Sequence, residues 1–162
     1  GLITYSDKIG TMLPAERSSG QMRRIQETLY NQKTLFKESN YDLLYQSVRK
    51  TVKTRSLLVL FTNFETEFAM RRAIPMLRKL NKKHILVVVF FQNSELQDLA
   101  FRPSKTIQEV YQATIAEKMI STKSKIAREL KQNGIQTVLT LPEELSINTI
   151  NKYLELKARG SI

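Results

Sequence analysis

The stretch "HILVVVFF", residues 84–91, constrains this chain more than any other. After its first residue every position is apolar, and β-branched residues dominate. A half-exposed strand would alternate apolar and polar residues, so this one must be covered on both faces. That need is met by a central strand of a parallel sheet with helices above and below. The run falls far short of the roughly 20 apolar residues that a membrane-spanning helix requires.

Two further runs, "LLVLFT" at 57–62 and "IQTVLTL" at 135–141, supply neighbouring strands, with helical segments between all three. Strand–helix alternation over the second half predicts a doubly wound, three-layer Rossmann-like α/β fold with a mostly parallel sheet. Near the start, "GLITYSDKI" has strand character and "GTMLPA" suits a second strand or hairpin arm. At 162 residues and 41% hydrophobic content the chain has enough material for one domain with a sizeable core.

Helix signals punctuate the rest. Ser18-x-x-Gln21 resembles a capping box, with Met22, Ile25 and Leu29 following at helical spacing. Ser39-x-x-Asp42 opens a helix whose inward face is Tyr41, Leu44, Val48 and Val52. Glu65 to Leu80 forms the next, turning Ala69, Ala73, Met76, Leu77 and Leu80 inward, and Pro75 should kink or divide it. A short helix sits within "QNSELQDLAFRPS". Thr106-x-x-Glu109 opens a long helix carrying Ile107, Tyr111, Ile115, Met119, Ile126 and Leu130, closed by Asn133-Gly134. The last helix follows Pro142, which suits a first turn.

Several chemistries lack their residues. Glycine occurs only at positions 1, 10, 20, 134 and 160, so there is no GxGxxG turn and no Walker A loop. Cysteine is absent, which removes disulfides, thiolate metal sites and a cysteine nucleophile. The single histidine, His84, joins a basic helix end to a buried strand, where a capping or structural role fits the helix dipole. No Gly-x-Ser-x-Gly motif supports a Ser-His-Asp arrangement around it. A hydrolase using Asp42 or Glu65 as base lacks a metal or a nucleophile.

The net charge of +11 permits an acidic protein, nucleic acid or an anionic surface as partner. Its densest patch is Arg71, Arg72, Arg78, Lys79, Lys82 and Lys83, which reads first as a solvated helix face. Tyr30, Phe36, Tyr41 and Tyr45 lie among basic residues, and their helical spacing favours core packing over base stacking.

"RSLLVLFTNFE", "HILVVVFFQNSEL", the long helix after "YQATIAEKM", and "LPEELSINTINKYLELKARGSI" occur in an order that resembles a bacterial protein family. Together with "GLITYSD" and "ESNYDLLYQSVRK" they cover nearly the whole chain. The family is domain-of-unknown-function 58, which carries a degenerate von Willebrand factor type A (vWA) domain. The resemblance implies that residues 1–162 run from the second strand of such a domain to its final helix. The first strand and first helix would belong to a longer parent protein, and the chain's opening in strand-like residues agrees with that expectation.

Domains of this type can hold magnesium through an Asp-x-Ser-x-Ser loop, a threonine and an aspartate. No Asp-x-Ser-x-Ser occurs here, the threonine position falls near Asn40, and the aspartate position corresponds to Asn63. A hard cation prefers anionic oxygens, so the resemblance implies a degenerate site without metal or other cofactor, magnesium being left to the full-length parent.

The resemblance also implies a non-enzymatic protein-binding module working with a MoxR-type AAA+ ATPase. It would be cytoplasmic, or on the cytoplasmic face of a membrane that anchors the parent. The expected contact edge comprises Ser6, Asp7, Asn40, Asp42, Thr62, Asn63 and Glu65, with Gln92 to Glu95 beside them, because strand ends converge there. The alternative is binding of nucleic acid or an anionic surface through the basic patch. Absence of a central first strand would leave buried edges, so residues 2–5 should either close against 57–62 or leave a gap for a second chain, giving a homodimer through exposed strand edges.

Overall fold

The computed structural model describes residues 1–33, 37–103 and 106–161. The chain divides into two compact units, Gly1–Thr54 and Arg55–Ile162.

In the first unit, β1 (Leu2–Tyr5) and β2 (Ile9–Leu13) form an antiparallel hairpin, with Leu2 opposite Leu13 and Ile3 opposite Met12. The Thr4 hydroxyl accepts a bond from the Thr11 N–H at 2.8 Å, and a Cβ on Gly10 would meet that same oxygen. Residues 2–5, expected to close against 57–62, have β2 as their ladder partner. A partner a few residues away costs less chain entropy to reach than one some fifty residues on.

Two helices follow, α1 (Gln21–Tyr30) and α2 (Tyr41–Thr51). Ser18 does not cap α1 through its side chain. Gln21 instead turns inward and donates from Nε2 to the Pro14 carbonyl at 2.7 Å. The α1 face expected to be buried is half-buried only at Ile25, while Met22 and Leu29 are exposed. The α2 cap lies one residue beyond Ser39: the Asn40 side chain accepts from the Leu43 N–H at 3.1 Å. Leu44 and Val48 are buried as the periodicity requires, and the Tyr5 and Tyr41 rings meet edge to face at 5.9 Å. Tyr30 is exposed, contrary to core packing, and Phe36 lies outside the described residues.

The second unit is mixed α/β of Rossmann-like character. Strands β3 (Leu57–Phe61), β4 (Ile85–Phe91) and β5 (Gln136–Thr140) form a parallel sheet in the order β3-β4-β5. Residues Ile85 to Phe90 of β4 are all buried, as an apolar run at the middle of a covered sheet must be. Between the strands run α3 (Glu67–Lys83), α4 (Ser94–Phe101) and α5 (Ile107–Gln132). A short 3-10 turn at Pro142–Glu144 leads into α6 (Leu145–Ala158).

Strand alternation sorts the layers. Ile85, Val87, Val89 and Val138 pack with Leu156 of α6 on one face. Phe90 points the other way and meets Phe64 edge to face at 6.4 Å, on the side covered by α3 and α5. Fully buried Met70, Leu77, Ile126 and Leu130 come from these two helices. Each such side chain contributes about 1.5–3 kcal/mol through burial.

The helix ends carry their own chemistry. Thr66 caps α3, whose first residue, Glu67, falls two after the Glu65 start read from the sequence. Pro75 sits at an exposed position and does not divide α3. His84 ends the helix, buried, its N–H bonded to the Leu80 carbonyl. At α5 the Thr106–Glu109 capping box is complete, with bonds of 3.1 and 3.2 Å. Gly134, at φ +75°, and Ile135 donate back to the Lys131 and Leu130 carbonyls, which closes α5 in a Schellman turn.

The long helix departs from expectation in its first half. Ile126 and Leu130 are buried, whereas Ile107 (91%), Tyr111, Ile115 and Met119 are exposed.

Candidate functional site

The candidate residues belong to two units, each with its own geometry. In Gly1–Thr54, Ser6 and Asp7 occupy the turn of the β1–β2 hairpin. The Ser6 hydroxyl donates to Asp7 at 3.0 Å, and the Lys37 ammonium donates to the other carboxylate oxygen at 2.9 Å. Lys37, then Ser6, holds the Asp7 carboxyl below its ordinary range. The Asn40 N–H bonds the Ser6 carbonyl at 2.8 Å, so the helix cap and the hairpin turn are tied together. Asp42 stands exposed in the first turn of α2, where a carboxylate complements the helix dipole.

In Arg55–Ile162, the polar residues after β3 lie where parallel sheets gather their loops. Thr62 extends the ladder by donating its N–H to the Val89 carbonyl. Asn63 is exposed, but its side-chain oxygen is engaged: Lys123, on α5, donates its ammonium to Asn63 Oδ1 and to the Phe64 carbonyl, the latter at 2.9 Å. Burial pushes the Lys123 pKa down, and the neighbouring Glu65 charge works against that shift. After β4, Gln92 accepts from Gln97 at 3.1 Å and Asn93 caps α4 by accepting from the Glu95 N–H at 2.9 Å.

Lys123 was missed in the sequence reading. A signal exists: it falls four residues after Met119 and three before Ile126, on the stripe that enters the core. A charged residue in such a register marks a buried polar contact.

The resemblance marks Asn40 and Asn63 as degenerate metal positions, and neither offers a hard cation an uncommitted side-chain oxygen. Asn40 Oδ1 is committed to the Leu43 N–H, and Asn63 Oδ1 already receives a fixed positive charge. Among the described residues no cluster of three or more histidine, aspartate or glutamate side chains could hold a metal ion.

The basic residues line one broad, exposed side of α3. At 100° per residue Arg71, Arg78 and Lys82 form one row and Arg72, Lys79 and Lys83 the next. Arg71 is drawn off by Glu129, at 2.9 Å, and by Glu67, and the Glu129 carboxylate raises its pKa. Arg72 lies 5.6 Å over the Phe68 ring. Lys82 and Lys83 occupy the last turn, where the dipole favours cations.

No helix among the described residues is long and apolar enough to cross a membrane. No protein-family model, no curated protein and no solved structure matches this chain.

Proposed function

We propose that the chain is part of a vWA-like domain and that it acts as a non-enzymatic protein-interaction module. The partner that fits the family resemblance is a MoxR-type AAA+ ATPase, met in the cytoplasm or at the cytoplasmic face of a membrane. The observation that carries this reading is the Lys123 contact with Asn63 Oδ1 and the Phe64 carbonyl. An internal ammonium fixes the loop after β3 and uses the oxygen that a metal or substrate would need. What remains there is a rigid polar surface formed by Thr62, Asn63 and Glu65, which suits recognition better than turnover.

Calorimetric titration with the MoxR-type ATPase of the same genome, with and without ATP, tests it. Micromolar binding is expected, weakened roughly tenfold, about 1.4 kcal/mol, by Glu65→Arg. Absence of binding in both nucleotide states overturns the partner. The exposed cation rows on α3 favour a second reading, binding of nucleic acid or another polyanion. Polarisation titration of a short DNA duplex at two salt concentrations decides it, because such binding must fall steeply as salt rises. No binding at low salt removes it.

A further inference from the structure

The sheet has a second place where a partner can attach, away from the β3 loops. Strand β5 pairs with β4 on one side, and its other edge carries no strand among the described residues. The Thr140 carbonyl accepts from the Gln92 N–H at 2.9 Å, so the Thr140 backbone faces β4. Alternation then turns the N–H and C=O groups of Thr137 and Leu139 outward.

These groups open into a groove of about 660 Å³, walled by α5 through Arg128 and Lys131 and by α6 through Lys152 and Glu155. Thr137 is 7% exposed, and its buried hydroxyl lacks a hydrogen-bond partner. Such a group costs about 1–3 kcal/mol unless something supplies one. The charge of the walls is unequal: three cations face one carboxylate, and Glu155 is already held by Lys152 at 3.0 Å and Arg159 at 2.8 Å.

We infer that this groove takes an extended acidic segment of another polypeptide, which adds to β5 as a fourth strand. The outward N–H and C=O groups of Thr137 and Leu139 supply the ladder, as in other strand-addition complexes. Arg128 and Lys131 receive the acidic side chains of the incoming strand. The sheet edge makes the site selective for an extended backbone, and the walls make it selective for negative charge.

The test is fluorescence polarisation with the full chain and a labelled peptide, Ac-EVTVDVE-amide. Two copies are N-methylated at alternate peptide nitrogens, one in each register, and a heptaglutamate serves as the charge control. Binding in the range of about 10–100 μM is expected. One N-methylated copy should bind at least about tenfold more weakly and the other should bind normally, since only one register faces β5. Leu139→Pro removes an outward donor without touching the β4 ladder and should cause a similar loss, because edge strands tolerate proline on that side. Arg128→Glu with Lys131→Glu should weaken binding about tenfold as well.

Equal binding of both methylated copies, or of heptaglutamate, would mean charge attraction alone and overturns the inference. So does no binding of the parent peptide at about 1 mM. Should Leu139→Pro fail to fold, the methylated peptides on the unaltered chain decide the matter. This result bears on the β5 groove only, and the ATPase titration on the β3 loop only, so the two can fail separately.

Discussion

The two halves of α5 share one helix and one apolar periodicity, yet they lead different lives. From Met119 back to Ile107 the large apolar residues Ile107, Val110, Tyr111, Ile115 and Met119 are exposed, while the small Ala116 is buried. From Lys123 onward Ile126, Ala127 and Leu130 enter the core, against β5 and α3. Spacing defines a face of a helix, but only a neighbouring layer turns that face into a core. In the first half the neighbouring layer covers Ala116 and leaves the larger apolar side chains exposed.

The largest effect that sharpens this contrast should come from the buried half. Ile126→Ala should cost about 2–5 kcal/mol in urea denaturation, while Ile115→Ala should cost less than about 1. Similar losses at both positions would break the comparison.

Gly134→Ala forces a side chain into a left-handed conformation at the helix end beside the core and should cost about 1–2 kcal/mol. Thr106→Ala, at the exposed end, removes a complete capping box and should cost about 1 kcal/mol. Thermal unfolding of the pair ranks them.

Lys123 gives a test of sign. Its folded-state pKa lies below the ordinary 10.5 because of burial, so between those two values the unfolded chain binds more protons. Lysine 123 therefore adds stability as pH rises through that window, and Lys123→Met should remove its share of the rise. Asp7 shows the same sign in the acid range: its lowered carboxyl loses its stabilising share as pH falls through and below 3.8. Denaturation midpoints across alkaline and acid pH check both. The smallest effect should be Ile107→Lys, within about 0.5 kcal/mol by the same urea measurement.

Much of the second unit was legible in the sequence. A run such as "HILVVVFF" can satisfy its side chains in few ways, and Thr106, Glu109 and Gly134 act through bonds to their own neighbours. The misses share a cause as well. Ser39 lost to Asn40 because two adjacent polar residues can each offer an oxygen, and tertiary position chooses between them. At α1 Gln21 instead spends its amide nitrogen on the Pro14 carbonyl, and no side chain caps the helix. For the 2–5 strand the sequence offered both a hairpin arm in "GTMLPA" and a partner some fifty residues on, and the nearer one, Ile9–Leu13, is the one that pairs. Of the candidate site, Asn63 and Glu65 were visible as polar groups at a strand end. The ammonium that meets Asn63 comes from some sixty residues away, and no local pattern announces so remote a contact.

Pro75 bears on the order in which these parts can assemble. An interior proline removes one backbone bond and crowds the preceding turn, at about 3 kcal/mol for a helix standing alone. Segment 67–83 is thus a poor early nucleus. It becomes helical once the buried strand beside it exists to receive Met70, Ala73 and Leu77, so strand pairing should come first and α3 should arrive late.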